Sequence, residues 1–208
     1  FKGFVEYLKN PVLRGIAIVE SAHQFSVPVL FVFVPLYLTQ DLGFSIAQVG
    51  IIIFVRELPM LVQFEMGKIS DRWGSQKGIV WGGALSGIGL LALSQVQSFE
   101  SVLIATLIFG IGSSLLGISG LSLISGIAEK TKQEGTLLGT QVGIVKTGAF
   151  VGYLVAGIIV AVANIPSLFL AAGAVILLGV IVGENGLGVK TIPLPAPKKM
   201  ISAIFHHR

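Results

Sequence analysis

Long apolar runs separated by short polar stretches fill this chain. A helix needs about 20 apolar residues to cross the hydrocarbon of a bilayer. Six runs reach or approach that length, at residues 15–38, 47–66, 78–96, 101–127, 136–163 and 166–183. Each is read as a membrane-crossing helix, which makes the expected fold an all-α membrane bundle. The flanks differ. The opening FKGFVEYLKN places Phe1, Phe4, Val5 and Leu8 at helical spacing, with Lys2, Glu6 and Lys9 between them. That is the pattern of a short helix lying on the membrane interface and ended by Asn10–Pro11. The closing TIPLPAPKKMISAIFHHR turns from Pro-rich to basic. The expected organisation is an interfacial lead-in over 1–14, a six-span bundle over 15–185 and a cytoplasmic Pro-rich basic tail over 186–208.

Composition agrees with the pattern. Of the 208 residues, 53% are hydrophobic and only 12% charged, where a soluble domain carries about 25% charged residues. The 27 glycines suit transmembrane helices, which approach closely where side chains are small. The net charge of +4 is therefore not a sign of nucleic-acid binding, because basic residues in a membrane protein mark its cytoplasmic side. They do so cleanly. Twelve of the 14 Lys and Arg residues lie in the N-terminal stretch, the loop at 67–77, the loop EKTKQEG and the tail. The intervening connections TQDLGFSI, QSFE and NIP carry none. Both termini are accordingly expected in the cytoplasm of a cell whose plasma (inner) membrane holds the protein. The chain has no cysteine, which excludes disulfides and thiolate metal sites, and it opens without a cleavable signal-peptide pattern.

One polar stretch holds more than topogenic charge. GKISDRWGSQK, residues 67–77, sets Gly67, Asp71, Arg72, Gly74 and Lys77 between the second and third spans. Gly67 lets a neighbouring helix approach, Asp71 suits a helix N-terminus, and Gly74 allows a tight reversal. Arg72 and Lys77 are placed to pair with acidic groups across the inner face. This stretch resembles the loop signature of the major facilitator superfamily, G-x-x-x-D-R-x-G-R-K/R, and it stands at the family's position. The departures are Ser75 and Gln76, where the family usually has basic residues. The resemblance covers about residues 1–185. It implies a cytoplasmic gate motif that latches helix ends in one state and releases them in the other. It also implies twelve spans in two six-span halves, each built of two inverted three-helix repeats, with the solute site between the halves. The six spans here would be one half. The opening FKGFVEYLKNPVLRG looks like the lead-in to the family's seventh span, and Gly148 and Gly152 look like its eleventh, which implies the C-terminal half; the alternative is a half-size protein that dimerises.

Ionisable residues inside spans are costly and are functional candidates by default. They are Glu20 and His23 in the first span, Arg56, Glu57 and Glu65 in the second and Lys146 in the fifth. Arg56 and Glu57 lie ten or eleven residues before Gly67, and Lys146 lies ten residues after Thr136, so all three sit about 15 Å deep. Adjacent helical residues point about 100° apart. Arg56 thus shares a face with Met60, Gln63 and Gly67, and Glu57 points elsewhere, with Lys146 as its depth-matched partner. A midplane cluster of Arg56, Glu57 and Lys146 at a substrate cavity is one expectation, and a structural ion pair is the other. Glu20, His23 and Gln24 share a face of the first span, either as a proton-carrying pair or as a water-facing patch. Glu65 belongs with the gate. Pro28, Pro35 and Pro59 are expected to kink the first two spans. Gly135, Gly139, Gly143 and Gly157 share a face with Lys146, opposite Gly148 and Gly152.

No spacing for nucleophilic catalysis, phosphate binding or a metal site stands out, so no enzyme activity and no cofactor are expected. The expected partners are membrane lipid, a small-molecule substrate and a second six-helix half. The expected function is a secondary transporter working by alternating access, coupled to protons through Glu57 or through Glu20 and His23. Arg56 and Lys146 would favour an anionic or zwitterionic solute. The alternatives are a multidrug exporter and a non-transporting scaffold of the same fold.

Overall fold

The computed structural model describes residues 7–131 and 134–188, and among these every regular element is helical. Residues 1–6 of the expected lead-in and 189–208 of the expected tail lie outside the described residues. Helix α1 (Pro11–Asp41) opens at Asn10, whose side-chain oxygen accepts from the Val12 and Leu13 amides at 3.0 and 3.3 Å. Pro11 follows at the first helical position, where its missing N–H costs nothing. The helix is α-wound over Pro11–Gln24 and π-wound over Val29–Phe33 and Tyr37–Asp41. Pro28 and Pro35 stand at the start of the first π stretch and just before the second, so the lost amides are absorbed by wider turns and the helix continues.

Helix α2 (Ile46–Leu61) is held at its start by a capping box between Ser45 and Gln48. Pro59 sits in its last turn, and the backbone breaks three residues later at Val62. Helix α3 (Gln63–Trp73) then departs at a bend of 52°. The second apolar run is thus two pieces, and helix carries on through most of the stretch expected to be a loop. Only Gly74, with φ 92° and ψ 131°, separates α3 from α4 (Ser75–Leu93). A side chain at that φ would be strained, which is why the reversal falls on this glycine. Helices α5 (Phe99–Thr131), α6 (Glu134–Val162) and α7 (Ile165–Leu187) complete the described chain.

Four helices, α1, α5, α6 and α7, are long and apolar enough to cross a membrane, and α2 with α3 makes a fifth if the bent pair is one span. Helix α4 has 19 residues, with Gln76, Lys77 and several glycines and serines among them, and it is the helix most enclosed by its neighbours. It packs between α5 and α7; α1 packs on α7 and α6, and α2 on α5. The contacts depend on bare backbone. A methyl group at Gly82 or Gly112 would collide with the facing backbone between α4 and α5, and one at Gly87 or Gly173 would collide between α4 and α7. Helix α6 meets α1 through Gly148 and Gly152, which sit on the Ser21 and Phe25 carbonyls. Gly135, Gly139, Gly143 and Gly157 face open space. The glycine face that carries Lys146 is therefore unpacked within the described residues.

Two apolar clusters result. One gathers Val29, Val34 and Leu38 of α1 with Ile52, Leu93, Phe109 and Phe169. The other gathers Tyr7, Leu13, Ile16 and Val19 with Ile79, Ile124, Leu137 and Leu187. Along α1, Glu20, His23 and Gln24 fall between them.

Candidate binding cavity

The gap between the clusters is a cavity of about 330 Å³ bounded by α1, α2, α5 and α6. Glu20, His23, Gln24 and Gln141 supply most of its polar lining, and Met60, Leu121, Leu138, Val142 and Val145 are among its apolar walls. Glu20, His23 and Gln24 come together because i, i+3 and i+4 positions share a helix face. Leu138, Gln141, Val142 and Val145 repeat the same spacing on α6.

Glu20 is tied to its surroundings through an amide. Gln141 Nε2 donates to Glu20 Oε2 at 2.5 Å, and the Tyr7 hydroxyl donates to Gln141 Oε1. Burial, with the Glu20 charge nearby, pushes the Tyr7 phenol above its usual value, which keeps it a neutral donor. The chain Tyr7–Gln141–Glu20 thereby links the lead-in, α6 and α1. Glu20 Oε1 lies against α5, where a methyl at Gly120 would collide with it. His23 stacks on Phe109 with ring centroids 5.5 Å apart and planes 16° from parallel. Its Nε2 and the Gln24 Oε1 are buried and have no hydrogen-bond partner among the described residues. A buried polar atom without a partner needs an explanation, and a cavity beside it supplies one: room for water or a ligand.

The charges of α2 are arranged differently from the expected cluster. Arg56 is buried, with 6% of its side chain exposed, and Glu57 is 45% exposed. Arg56 Nε donates to Glu57 Oε1 at 2.8 Å, and Nη2 lies 2.6 Å from the same oxygen. Nη1 donates to the Leu30 carbonyl at 3.4 Å, and the guanidinium carbon stands 5.3 Å from the centroid of the Phe31 ring. The long Arg side chain closes the 100° separation that the backbone imposes, so the two neighbours pair with each other. Lys146 is exposed and makes no ion pair among the described residues. Matching depth did not make it the partner of Glu57. None of Arg56, Glu57 and Lys146 lines the cavity. Gln63 is half-buried at the start of α3, just past the break.

The 67–77 stretch forms the α3–α4 corner. Gly67 makes ordinary contact with Ile118, and Asp71 and Arg72 are exposed. Asp71, Arg72 and Lys77 enter no ion pair among the described residues. Glu65 instead pairs with Lys68 at 2.8 Å on an exposed face. What anchors the corner is hydroxyl: Ser119 Oγ donates to Ser70 Oγ at 2.9 Å, and Ser70, Ser75 and Ser122 follow at 3.5 Å steps. Ser75 and Gln76, the departures from the signature, are both buried.

Reading the sequence missed Gln141 and Tyr7. Gln141 is a lone uncharged amide in the fifth apolar run, which ionisable character does not single out. Tyr7 gave no signal, because its partner lies 134 residues away.

A bundle of membrane-length helices around a part-polar cavity is the architecture of an integral membrane protein. The family model of the Major Facilitator Superfamily matches residues 16–203, and the chain belongs to that superfamily. It is an integral membrane protein of a family of transporters that bind small-molecule substrates.

Proposed function

We propose that the chain is one six-helix half of a secondary transporter that moves a small solute by alternating access through the cavity at Glu20, His23, Gln24 and Gln141. In this reading α4 is a sixth span, and α2 with α3 is one broken span. Both termini face the cytoplasm, from the distribution of Lys and Arg. The second half, from the same polypeptide or from an identical chain, covers the α6 face of Gly139, Gly143 and Lys146. Small residues and a cation there suit a packed or watered partner better than lipid. Glu20 with His23 is the proton-carrying pair. Arg56 and Glu57 hold α2 to α1 and are structural. The exposed Asp71 and Arg72 and the half-buried Lys77 are free to meet the second half as a cytoplasmic gate, and the serine contacts keep the corner in place.

The observation that carries the reading is the pair of orphaned atoms, His23 Nε2 and Gln24 Oε1, beside the cavity. The test is a single cysteine. The 208 residues contain none, and Gly117 lines the cavity with nothing within 4 Å of an added Cβ. Gly117→Cys in oriented membrane vesicles should react with a membrane-impermeant maleimide from either face. Labelling confined to one face under all conditions would sink alternating access.

A further inference from the structure

We infer that the cavity selects a small organic cation, a protonated amine on an apolar body; this rests on the reading of the cavity given above. The argument is a census of what faces it. Among the described residues, Glu20 is the sole formal charge in its lining. The Gln141 amide is already committed at both ends, to Tyr7 and to Glu20. Gln24 Oε1 is an acceptor with nothing to accept, and His23 Nε2 is also unmatched. The two cations that would have drawn an anionic solute are elsewhere. Arg56 is spent on Glu57, Leu30 and Phe31, and Lys146 is exposed and outside the lining.

An ammonium group carries three donors and no acceptor. It would meet the Glu20 carboxylate, Gln24 Oε1 and, in the tautomer that leaves its lone pair free, His23 Nε2. These three positions share one face of α1, and all three residues line the cavity. A carboxylate solute would instead meet the Glu20 charge at low dielectric, where like charges repel strongly. Met60, Leu121, Leu138, Val142 and Val145 then enclose the rest of the solute, and an apolar body is what such walls hold.

The test compares three probes that share one body: phenethylamine, 2-phenylethanol and phenylacetate. Each is titrated into the full natural polypeptide in detergent at neutral pH, with binding followed calorimetrically. The amine should bind at least ten-fold more tightly than the alcohol, with phenylacetate the weakest. In Glu20→Gln the amine should fall to the level of the alcohol. Phenylacetate binding as tightly as the amine would overturn the cation assignment and leave the cavity as a solute site. An amine preference that survives Glu20→Gln would overturn it too, by placing the recognition elsewhere. No saturable binding by any of the three would overturn both the assignment and the cavity reading. The ranking of probes is read on the unmodified chain and stands even if the variant fails to fold. Gln24→Leu then serves as the second variant, with a several-fold loss expected for the amine alone.

Discussion

Two sets of ionisable side chains lie within the spans, one on α1 and one on α2, and packing treats them in opposite ways. Arg56 and Glu57 are closed on themselves: the guanidinium has a carboxylate, a backbone carbonyl and an aromatic face. Glu20, His23 and Gln24 are left open, with one carboxylate oxygen paired and two buried polar atoms unmatched beside a cavity. A charge in a membrane span is costly in both places. Where its partners are complete, it holds helices together. Where they are incomplete, the proposed solute would supply the missing partner. Presence of charge therefore does not separate structure from function in this bundle, and completeness of pairing does.

The contrast can be broken most severely at α2. Glu57→Gln leaves the buried Arg56 without its counter-charge and should cost about 3 kcal/mol of stability, read as a large drop in thermal unfolding temperature in detergent. The double change Arg56→Met with Glu57→Leu should recover most of it, because an apolar pair removes both charges together. A double variant as unstable as Glu57→Gln would mean that the pair does more than neutralise itself.

Two glycines on α5 sharpen the comparison. A methyl at Gly110 meets the backbone carbonyl of Arg56, whereas one at Gly120 meets only the end of the Glu20 side chain. Gly110→Ala should thus push α5 away from α2 and cost about 2 kcal/mol. Gly120→Ala should leave the unfolding temperature nearly unchanged and lower the affinity for phenethylamine by displacing the carboxylate. Equal effects of the two on stability would contradict the assignment of a rigid region and an adjustable one.

The smallest effect is expected from Tyr7→Phe. It removes the hydroxyl that fixes Gln141 and should cost about 1 kcal/mol. Gln141 is then free to turn, and amine binding should weaken by a few-fold without loss of the preference over phenylacetate. Loss of that preference would show that the lead-in controls the charge of the site and not merely its geometry.

Much of this arrangement was legible in the chain. Apolar length marked four helices long enough to cross a membrane, and a fifth if α2 with α3 is one span, because a span is set by bilayer thickness and not by its neighbours. Pro59 announced the break that falls at Val62, and Gly74 announced the reversal between α3 and α4. The shared face of Glu20, His23 and Gln24 followed from helical spacing. What stayed hidden depends on reach and azimuth between helices. Depth matched Lys146 to Glu57, yet depth says nothing of which way α6 is turned, and the long Arg56 side chain bridged to its own neighbour. Spacing set the two glycine faces of α6 opposite each other, and the one that carries Lys146 suggested close approach. Only the packing against Ser21 and Phe25 singled out Gly148 and Gly152 as the contact.

The π-wound portion of α1 has a consequence of its own, in length and not in charge. A π turn closes its hydrogen bonds over five residues where an α turn uses four, so Val29–Phe33 and Tyr37–Asp41 each hold slack. Removing one residue from either stretch should let it rewind as ordinary α-helix and leave the orientation of everything beyond it unchanged. Removing one from Pro11–Gln24 has no such reserve and would turn the face bearing Glu20 by about 100° relative to the residues before the deletion. One end of this helix is therefore tolerant of a one-residue deletion, and the other must keep its count.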